Sequence, residues 1–311
     1  MTMSLLEEDL NLERGRDEPP DPLQERQEPP DRVFYATGVL LDEEDFRAEQ
    51  VYHRGRLARA LSYLHGSGTA AGLRVGHKPP ADPNSETDPE EEITVEPGVA
   101  VDRLGRMIEV PRDACIRLNP WFNKYDADAL REAYMENVDV RSRRERQEGQ
   151  PARLVSGVVL DLFIRFLTCP RGKTPAFASG PFDALDAVQP SRLRDGYKLK
   201  LFPRKDRRLP APENFWPTDA ALLPDAVFDV WKKITARDSR NMLVPLDEHL
   251  ADQDTTYVFL ARIVLPTENP AVRVDADLRP VRRRGDKVEI INDLRSFVYS
   301  TGALATLAGL A

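Results

Sequence analysis

The sequence predicts an α+β fold built on a mostly antiparallel β-sheet, with an N-terminal amphipathic helix and an extended N-terminal arm. Three observations predict it. Residues 158–167 (VVLDLFIRFL) and 257–265 are apolar almost throughout, as strands covered on both faces of a sheet must be. The shorter strand patterns are separated by turn residues rather than by helices, which argues against a parallel βαβ arrangement. Long helical periodicity is confined to one segment near the amino terminus, with two smaller insertions further on.

Taken in order, residues 1–32 form an arm rich in Pro, Glu and Arg, with proline pairs at Pro19-Pro20 and Pro29-Pro30. Such a stretch buries too little apolar surface to offset its ordering entropy, so it is expected to be extended unless a partner or the body holds it. Leu5, Leu6 and Leu10 are its candidate anchors. Residues 33–75 are expected to be a helical N-terminal region. Asp42 is a good N-cap, and Glu43, Glu44 and Asp45 suit the positive end of the helix dipole. Phe46, Gln50, His53, Leu57, Ala60 and Leu64 recur at helical spacing and predict the buried face, widened by Val51, Ala58 and Leu61. Arg47, Arg54, Arg56 and Arg59 fall on the other side. Gly66 suits a left-handed cap, and Gly68 and Gly72 lead to a short strand at 73–75.

Residues 76–295 are expected to form a β-rich body. The loop 79–92 carries Asp82, Glu86, Asp88, Glu90, Glu91 and Glu92, which are expected to face solvent. Strands are expected at 93–95, 99–101 and 107–110, with turns at Pro97-Gly98 and 102–105. Residues 126–148 read as a polar helical insertion ending in the solvated charge run RSRRERQE. Loop composition follows over 168–195, then a strand at 197–202. A second helical insertion at 225–235 carries Phe228 and Trp231, and a short partner strand is expected at 272–274. The tail, 296–311, has no charged residue, and it is too short to cross a bilayer. It is expected to dock into a groove of this subunit or a neighbour through Phe297, Tyr299, Leu304, Leu307 and Leu310.

The net charge of −8 argues against bulk binding to nucleic acid or anionic membrane. Cys115 and Cys169 stand alone, which suits a reducing compartment and excludes a disulfide scaffold. No signal peptide or membrane-spanning run is visible, so cytoplasmic synthesis and assembly without membrane insertion is expected, in a particle that is later released or membrane-anchored.

The candidate chemistry is sparse. Gly66–Gly72 superficially matches a phosphate loop, but it follows a helix and precedes a strand, the reverse of the required order. His53 and His65 lie about 18 Å apart if helical and cannot share a metal; His77 and His249 form no ligand pattern. Asp102 is expected to be a turn residue bonding the backbone, and Asp161 to pair with Arg165 or an arginine of a neighbouring strand. The basic clusters 204–208 and 279–287 lack the interleaved aromatics of a single-strand binding face, and solvated loops or contacts to an acidic neighbour are expected instead. No catalytic residue, cofactor site or metal site is assigned, and nucleic acid is not expected as a partner.

Residues 34–75 carry Tyr35, Gly38, Leu40, Leu41, Asp45, Phe46, Glu49, Gln50, Tyr52, Leu64, His65, Gly66, Gly68, Gly72, Leu73 and Val75. This stretch resembles the opening of a group of proteins encoded with phage-tail-like contractile injection systems. Residues 95–111 are similar to the same group through Pro97, Gly98, Ala100, Asp102, Gly105 and Arg106. The segments 190–201 and 258–265 are similar in style only. The proline-rich arm and the uncharged tail depart from the pattern. The resemblance implies a baseplate-associated or accessory structural subunit, present in symmetric copies, whose partners are baseplate, sheath or spike components. The alternative is a carbohydrate- or surface-binding module of such a particle, with loops 79–92 and 170–190 as its contact region; a glycosidase-type enzyme ranks third.

Overall fold

The computed structural model of the chain describes residues 21, 23, 31–80, 91–175, 188–206, 209–212, 216–239, 242–251, 253–272 and 279–309. Leu5, Leu6, Leu10 and Leu310, and the loop segments 81–90 and 176–187, fall outside the described residues.

Helix α1 (Glu43–His65) starts where its cap requires. The Asp42 carboxylate accepts from the Glu44 and Asp45 amides, and Asp45 accepts in return from the Asp42 amide. At the far end Gly66 takes a positive φ of 75° and donates to the Ser62 carbonyl at 3.1 Å. Strands β1 (Gly68–Gly72) and β2 (Val75–Lys78) follow. The strand expected at 73–75 is instead the corner between them. Leu73 there adopts a left-handed φ of 56° with no exposed surface. That conformation costs a leucine about 1–2 kcal/mol, which full burial of the side chain, worth about 1.5–3 kcal/mol, can offset.

The short strands β3 (Glu92–Val95), β4 (Gly98–Val101), β5 (Met107–Val110) and β6 (Ala114–Arg117) divide between two three-stranded antiparallel sheets. One has the order β1–β4–β5 and the other β2–β3–β6. The expected strands therefore exist, but β3 pairs with β2 and β6 rather than with its sequence neighbour β4.

Helices α2 (Leu118–Lys124) and α3 (Ala127–Glu132) precede β7 (Tyr134–Asp139) and α4 (Arg143–Gln147). The insertion expected to be helical over 126–148 is thus broken by an edge strand. Two local caps define its helical pieces: Asp126 caps α3, and Ser142 with Glu145 forms a capping box on α4.

The main sheet is organised by β8 (Leu154–Arg171), 18 residues long. Beyond it, β9 (Thr174–Pro175) and β10 (Val188–Gln189) form a small pair, and β11 (Arg192–Pro203) returns antiparallel along β8. Helix α5 (Leu223–Thr235) matches the second expected insertion. Strands β12 (Val258–Pro266) and β13 (Glu289–Ile291) complete the sheet in the order β11–β8–β12–β13, and helix α6 (Thr301–Leu307) lies in the tail. Because β12 pairs with residues 157–164 of β8, both β7, on 154–158, and β11, on 160–171, must use its other edge. They meet end to end at Val159, whose N–H donates to Ala133 and whose carbonyl accepts from Arg204. Residues 273–274 of the expected partner strand lie outside the described residues, and Val272 closes a single 3-10 turn.

The alternation of β8 explains its apolar character. Val158, Leu160, Leu162 and Ile164 enter a large core shared with β2, β3, β5 and α2, while Val159 and Phe163 enter a second core with Tyr257, Phe259, Ile291 and Leu294. Both faces are covered, so neither can be polar without a partner. The exception is Asp161, fully buried on the second face. It receives two bonds from its cross-strand neighbour Arg262, at 2.8 and 2.9 Å, and lies 3.5 Å from Arg204. Arg262 also donates to the Leu209 and Pro210 carbonyls. Arg165 pairs with Asp254 instead, at 3.6 Å.

Candidate functional site

Gly72, Gly98, Asp102, Gly105 and Arg106 lie in or beside the β1–β4–β5 sheet, whose β4–β5 turn is approached closely by α1. Gly105 sits in the β4–β5 turn at φ 83°, and a Cβ there would overlap the Ala58 carbonyl of α1. Gly72 and Gly98 face each other across β1 and β4, and a side chain on either would run into the opposite backbone. Asp102 fixes the turn as expected: Oδ1 accepts from the Leu104 and Arg106 amides, and Oδ2 accepts from Arg106 Nε at 2.6 Å. The Arg106 guanidinium stands 4.9 Å over the Phe166 ring and donates to Asp21 of the arm at 2.8 Å.

A clasp from the C-terminal part of the chain closes this junction. The Asn292 side chain pairs with both the N–H and the C=O of Val75, each at 2.9 Å, as a strand neighbour would. Arg295 donates to the Leu73 carbonyl at 2.7 Å and to Asn292 Oδ1 at 2.6 Å. Burial, with Arg74 adding, pushes the Arg295 pKa down to about 10. Thr69 then exchanges backbone bonds with Ser296 and Val298, both 2.9 Å. The tail is thus anchored at its first residues. Beyond them Phe297, Tyr299, Leu304 and Leu307 all remain exposed, and α6 contains no buried residue.

The buried face of α1 differs from the expected one. Ala58 and Ser62 are buried and Ala48, Val51, Gly55 and Leu61 half-buried, whereas Phe46, His53, Leu57, Ala60 and Leu64 face outward. The helix lies close enough on the β4–β5 turn for only small side chains to fit between, so the larger ones are turned to solvent. Leu64 is 78% exposed. Helix α5 repeats the pattern: none of its residues is fully buried, and Val227, Phe228 and Trp231 are exposed, Phe228 to 78%. The two helices meet where Tyr63 stacks on Trp231, ring centres 5.6 Å apart and 10° from parallel. Arg103 donates to the Lys233 carbonyl at 2.6 Å and to Val244, placing a cation at the carboxyl end of α5. Phe34, Tyr35, Val39 and Leu40, before α1, are also exposed. Scattered apolar surface residues are ordinary, but here large aromatics and leucines are exposed together on α1, α5 and the tail.

Of the expected interaction residues, the structure therefore places Phe297, Tyr299, Leu304 and Leu307 on the surface. Sequence reasoning missed the outward set of α1 and gave no interaction role to α5. The available signal was Gly55, a poor mid-helix residue unless another element must approach closely.

Several buried charged groups are committed to structure. Glu91, expected to face solvent, is fully buried; it accepts from Arg282 at 2.6 and 2.7 Å and lies 3.0 Å from His77. Burial works to raise its pKa, but the bonds and charges of His77 and Arg282 outweigh it and hold the carboxyl at about 2. In the basic clusters, Arg204 donates to Glu248, Arg279 to Phe122 and Arg283 to Ser156, all backbone carbonyls, so these arginines tie loops to the body. His249 is buried beside Phe163 and donates through Nε2 to the Tyr257 carbonyl at 3.0 Å; burial pushes its pKa down to about 4. An open cleft of about 960 Å³ is lined by Tyr134, Ser156, Asn269, Arg283, Asp286 and Lys287. Its charges pair locally, Arg283 with Asp286 and Lys287 with Glu289, both at 3.2 Å. Among the described residues no group of three or more His, Cys, Asp or Glu could hold a metal, and no helix is long and apolar enough to cross a membrane.

Fold and surface together define an α+β protein that presents apolar helix faces to its surroundings. No protein-family model matches the chain, and a search of characterised proteins gave no match.

Proposed function

We propose that the chain is a structural subunit of a phage-tail-like contractile injection particle, associated with its baseplate and present in symmetric copies. The resemblance of residues 34–75 and 95–111 motivates the reading. The observation that carries it is the exposed apolar surface on α1, α5 and the tail, whose chemistry suits burial against other subunits. In this reading the arm and the tail reach neighbouring subunits, and the junction around Gly105 holds α1 at a fixed angle for docking.

The test is a gentle-lysis pull-down from the native host, with negative-stain imaging of what co-purifies. Sheathed tubes with a baseplate, bearing the subunit, are expected. A monomer or small oligomer that never associates with such particles would overturn the proposal. The polar cleft beside Tyr134 favours a second reading, a glycan-binding accessory module, because mixed hydrogen-bonding groups around an aromatic ring suit a sugar. Glycan-array binding that is lost in Tyr134→Ala would move that reading to the front.

A further inference from the structure

Past the main sheet, β8 and β11 continue as a two-stranded ribbon. The last pair between β12 and β8 is Val258–Ile164, so from Arg165 onward β8 is paired with β11 alone among the described strands. One register then runs to the far end. Lys198 stands opposite Arg165, Arg192 opposite Arg171 and, through β9 and β10, Val188 opposite Pro175. Residues 165–175 and 188–198, at about 3.3 Å per residue, make a ribbon roughly 33 Å long. Residues 169–174 and 190–195 are all exposed, so the described residues cover neither face of its outer half. A two-stranded ribbon without a covered face is marginal in water and gains from a third strand.

The ribbon is also basic in a chain whose net charge is −8. Its described residues carry the cations Arg165, Arg171, Lys173, Arg192, Arg194 and Lys198 against one carboxylate, Asp195. The register puts all of these cations except Lys173 on one face, the side of β8 that holds Asp161 and Phe163, and Asp195 on the other. Two like-charged pairs stand directly opposite, Arg165–Lys198 and Arg171–Arg192, an arrangement that is destabilising unless an anion answers it. Arg165 has Asp254 at 3.6 Å, but Arg171, Arg192 and Arg194 form no ion pair with a described residue.

The outer edge of β11 is open as well. Arg204 donates its backbone N–H to the Val159 carbonyl at 2.9 Å, and antiparallel pairing repeats such a bond at every second residue. The backbone groups of Arg192, Arg194 and Lys198 therefore turn to β8. Those of Leu193, Asp195 and Tyr197 point away from it, and no described residue bonds them.

We propose that this edge takes up an extended acidic segment of a partner protein as a third strand. Residues of the added strand opposite Arg192, Arg194 and Lys198 share their face and are acidic. The residues between them share the face of Tyr197 and of Leu193, which is 57% exposed, and are apolar. The partner's signature is thus Glu or Asp at every second position. A second copy of the ribbon does not fit, because it would set cation against cation. Nucleic acid fits less well, because it makes no strand ladder with the outward N–H and C=O groups and the acidic remainder of the chain repels it. This inference goes beyond the particle reading and holds for whatever assembly the chain joins.

The test titrates the full chain with a fluorescein-labelled peptide of alternating Glu and Val, long enough to span residues 192–198. Saturable binding is expected, with slowed amide exchange at Leu193, Asp195 and Tyr197. A peptide of the same composition with its Glu and Val in separate blocks should bind about fivefold more weakly or worse, as should the alternating peptide N-methylated along its bonding edge. R192E/R194E should weaken binding about tenfold or more. Its thermal midpoint should not fall, because the first change turns the opposed Arg171–Arg192 pair into an attractive one. No binding, equal binding of the block or N-methylated peptide, or protection confined to other residues would overturn strand addition. A random-sequence DNA duplex bound more tightly than the alternating peptide would give the face to nucleic acid and overturn the proposal. Particle co-purification is scored separately, so either proposal can fail while the other stands.

Discussion

Glu91→Gln removes one charge and almost no volume from an enclosed ion pair outside the main sheet. The carboxylate joins three elements: His77 on β2, its own position ahead of β3, and Arg282 from the loop before β13. Its side chain is fully buried and that of Arg282 only 4% exposed, so the substitution leaves a buried guanidinium without a counter-charge. Breaking a buried pair from one side costs about 3–5 kcal/mol. The depressed pKa gives a second figure. The folded pKa of about 2 lies below the ordinary value of 4.5, which corresponds to roughly 3 kcal/mol of stability. Because the folded pKa is depressed, that stability is complete above pH 4.5 and is lost as pH falls towards 2. With a urea slope near 3 kcal/mol per molar, the unfolding midpoint of the variant should fall by about 1 to 1.7 M at pH 7. The acid limb between pH 4.5 and 2 should flatten by the same free energy. The double variant E91Q/R282M should lose no more than either single one, since the stranded charge is gone. A midpoint shift below about 0.3 M, or an unchanged acid limb, would refute the assignment of Glu91 as a stabilising ion.

Other expectations follow from the same geometry. His249 is held neutral, with a folded pKa of about 4 against 6.5, so its contribution is full above pH 6.5 and declines as pH falls to 4. His249→Gln should remove about 3 kcal/mol of pH dependence from that window and leave the Glu91 window intact; identical slopes in both proteins would count against it. Gly105→Ala should destabilise by at least about 2 kcal/mol, through both its positive φ and the collision with α1. Gly38→Ala, with a φ of 87° and nothing near its Cβ, is the comparator and should cost only about 1 kcal/mol, so equal thermal shifts would disprove the close approach. Leu64→Ser combined with Phe228→Ser should change unfolding free energy by less than about 1 kcal/mol while reducing particle co-purification severalfold. Full association of that variant would remove α1 and α5 from the interface.

What the sequence made legible was local. The Asp42 cap, the amphipathic α5, the strands of the β3–β5 region and the β8 and β12 runs all depend on neighbours a few residues away. The face of α1 was legible only in part, in Val51, Ala58 and Leu61, because periodicity weighs the largest apolar side chains. Contact with the β4–β5 turn selects the smallest, Ala58 and Ser62 among them. Glu91 reads as solvent-facing within an acidic loop, and only a partner 191 residues later makes its burial tolerable. The strand β7 escaped because its polar stretch alternates weakly and is recruited by the edge of β8. The absence of charge in the tail was legible from composition, but its residues beyond the clasp lie exposed on this chain. The aromatic face of α5 was visible as amphipathicity, but whether such a face turns inward or outward is a tertiary fact.

The Asn292–Arg295 clasp also sets a timetable. Its bonds to Leu73 and Val75 join residues 217 and 222 positions apart. At about 5–20 residues per second, a ribosome needs on the order of ten seconds or more to supply the second partner after the first. During that interval the strained Leu73 corner and the β1 edge wait open, and a chaperone has time to engage them. Proofreading is the consequence. A chain abandoned before residue 292 never completes this corner, so the closed clasp is found only in molecules translated past Arg295.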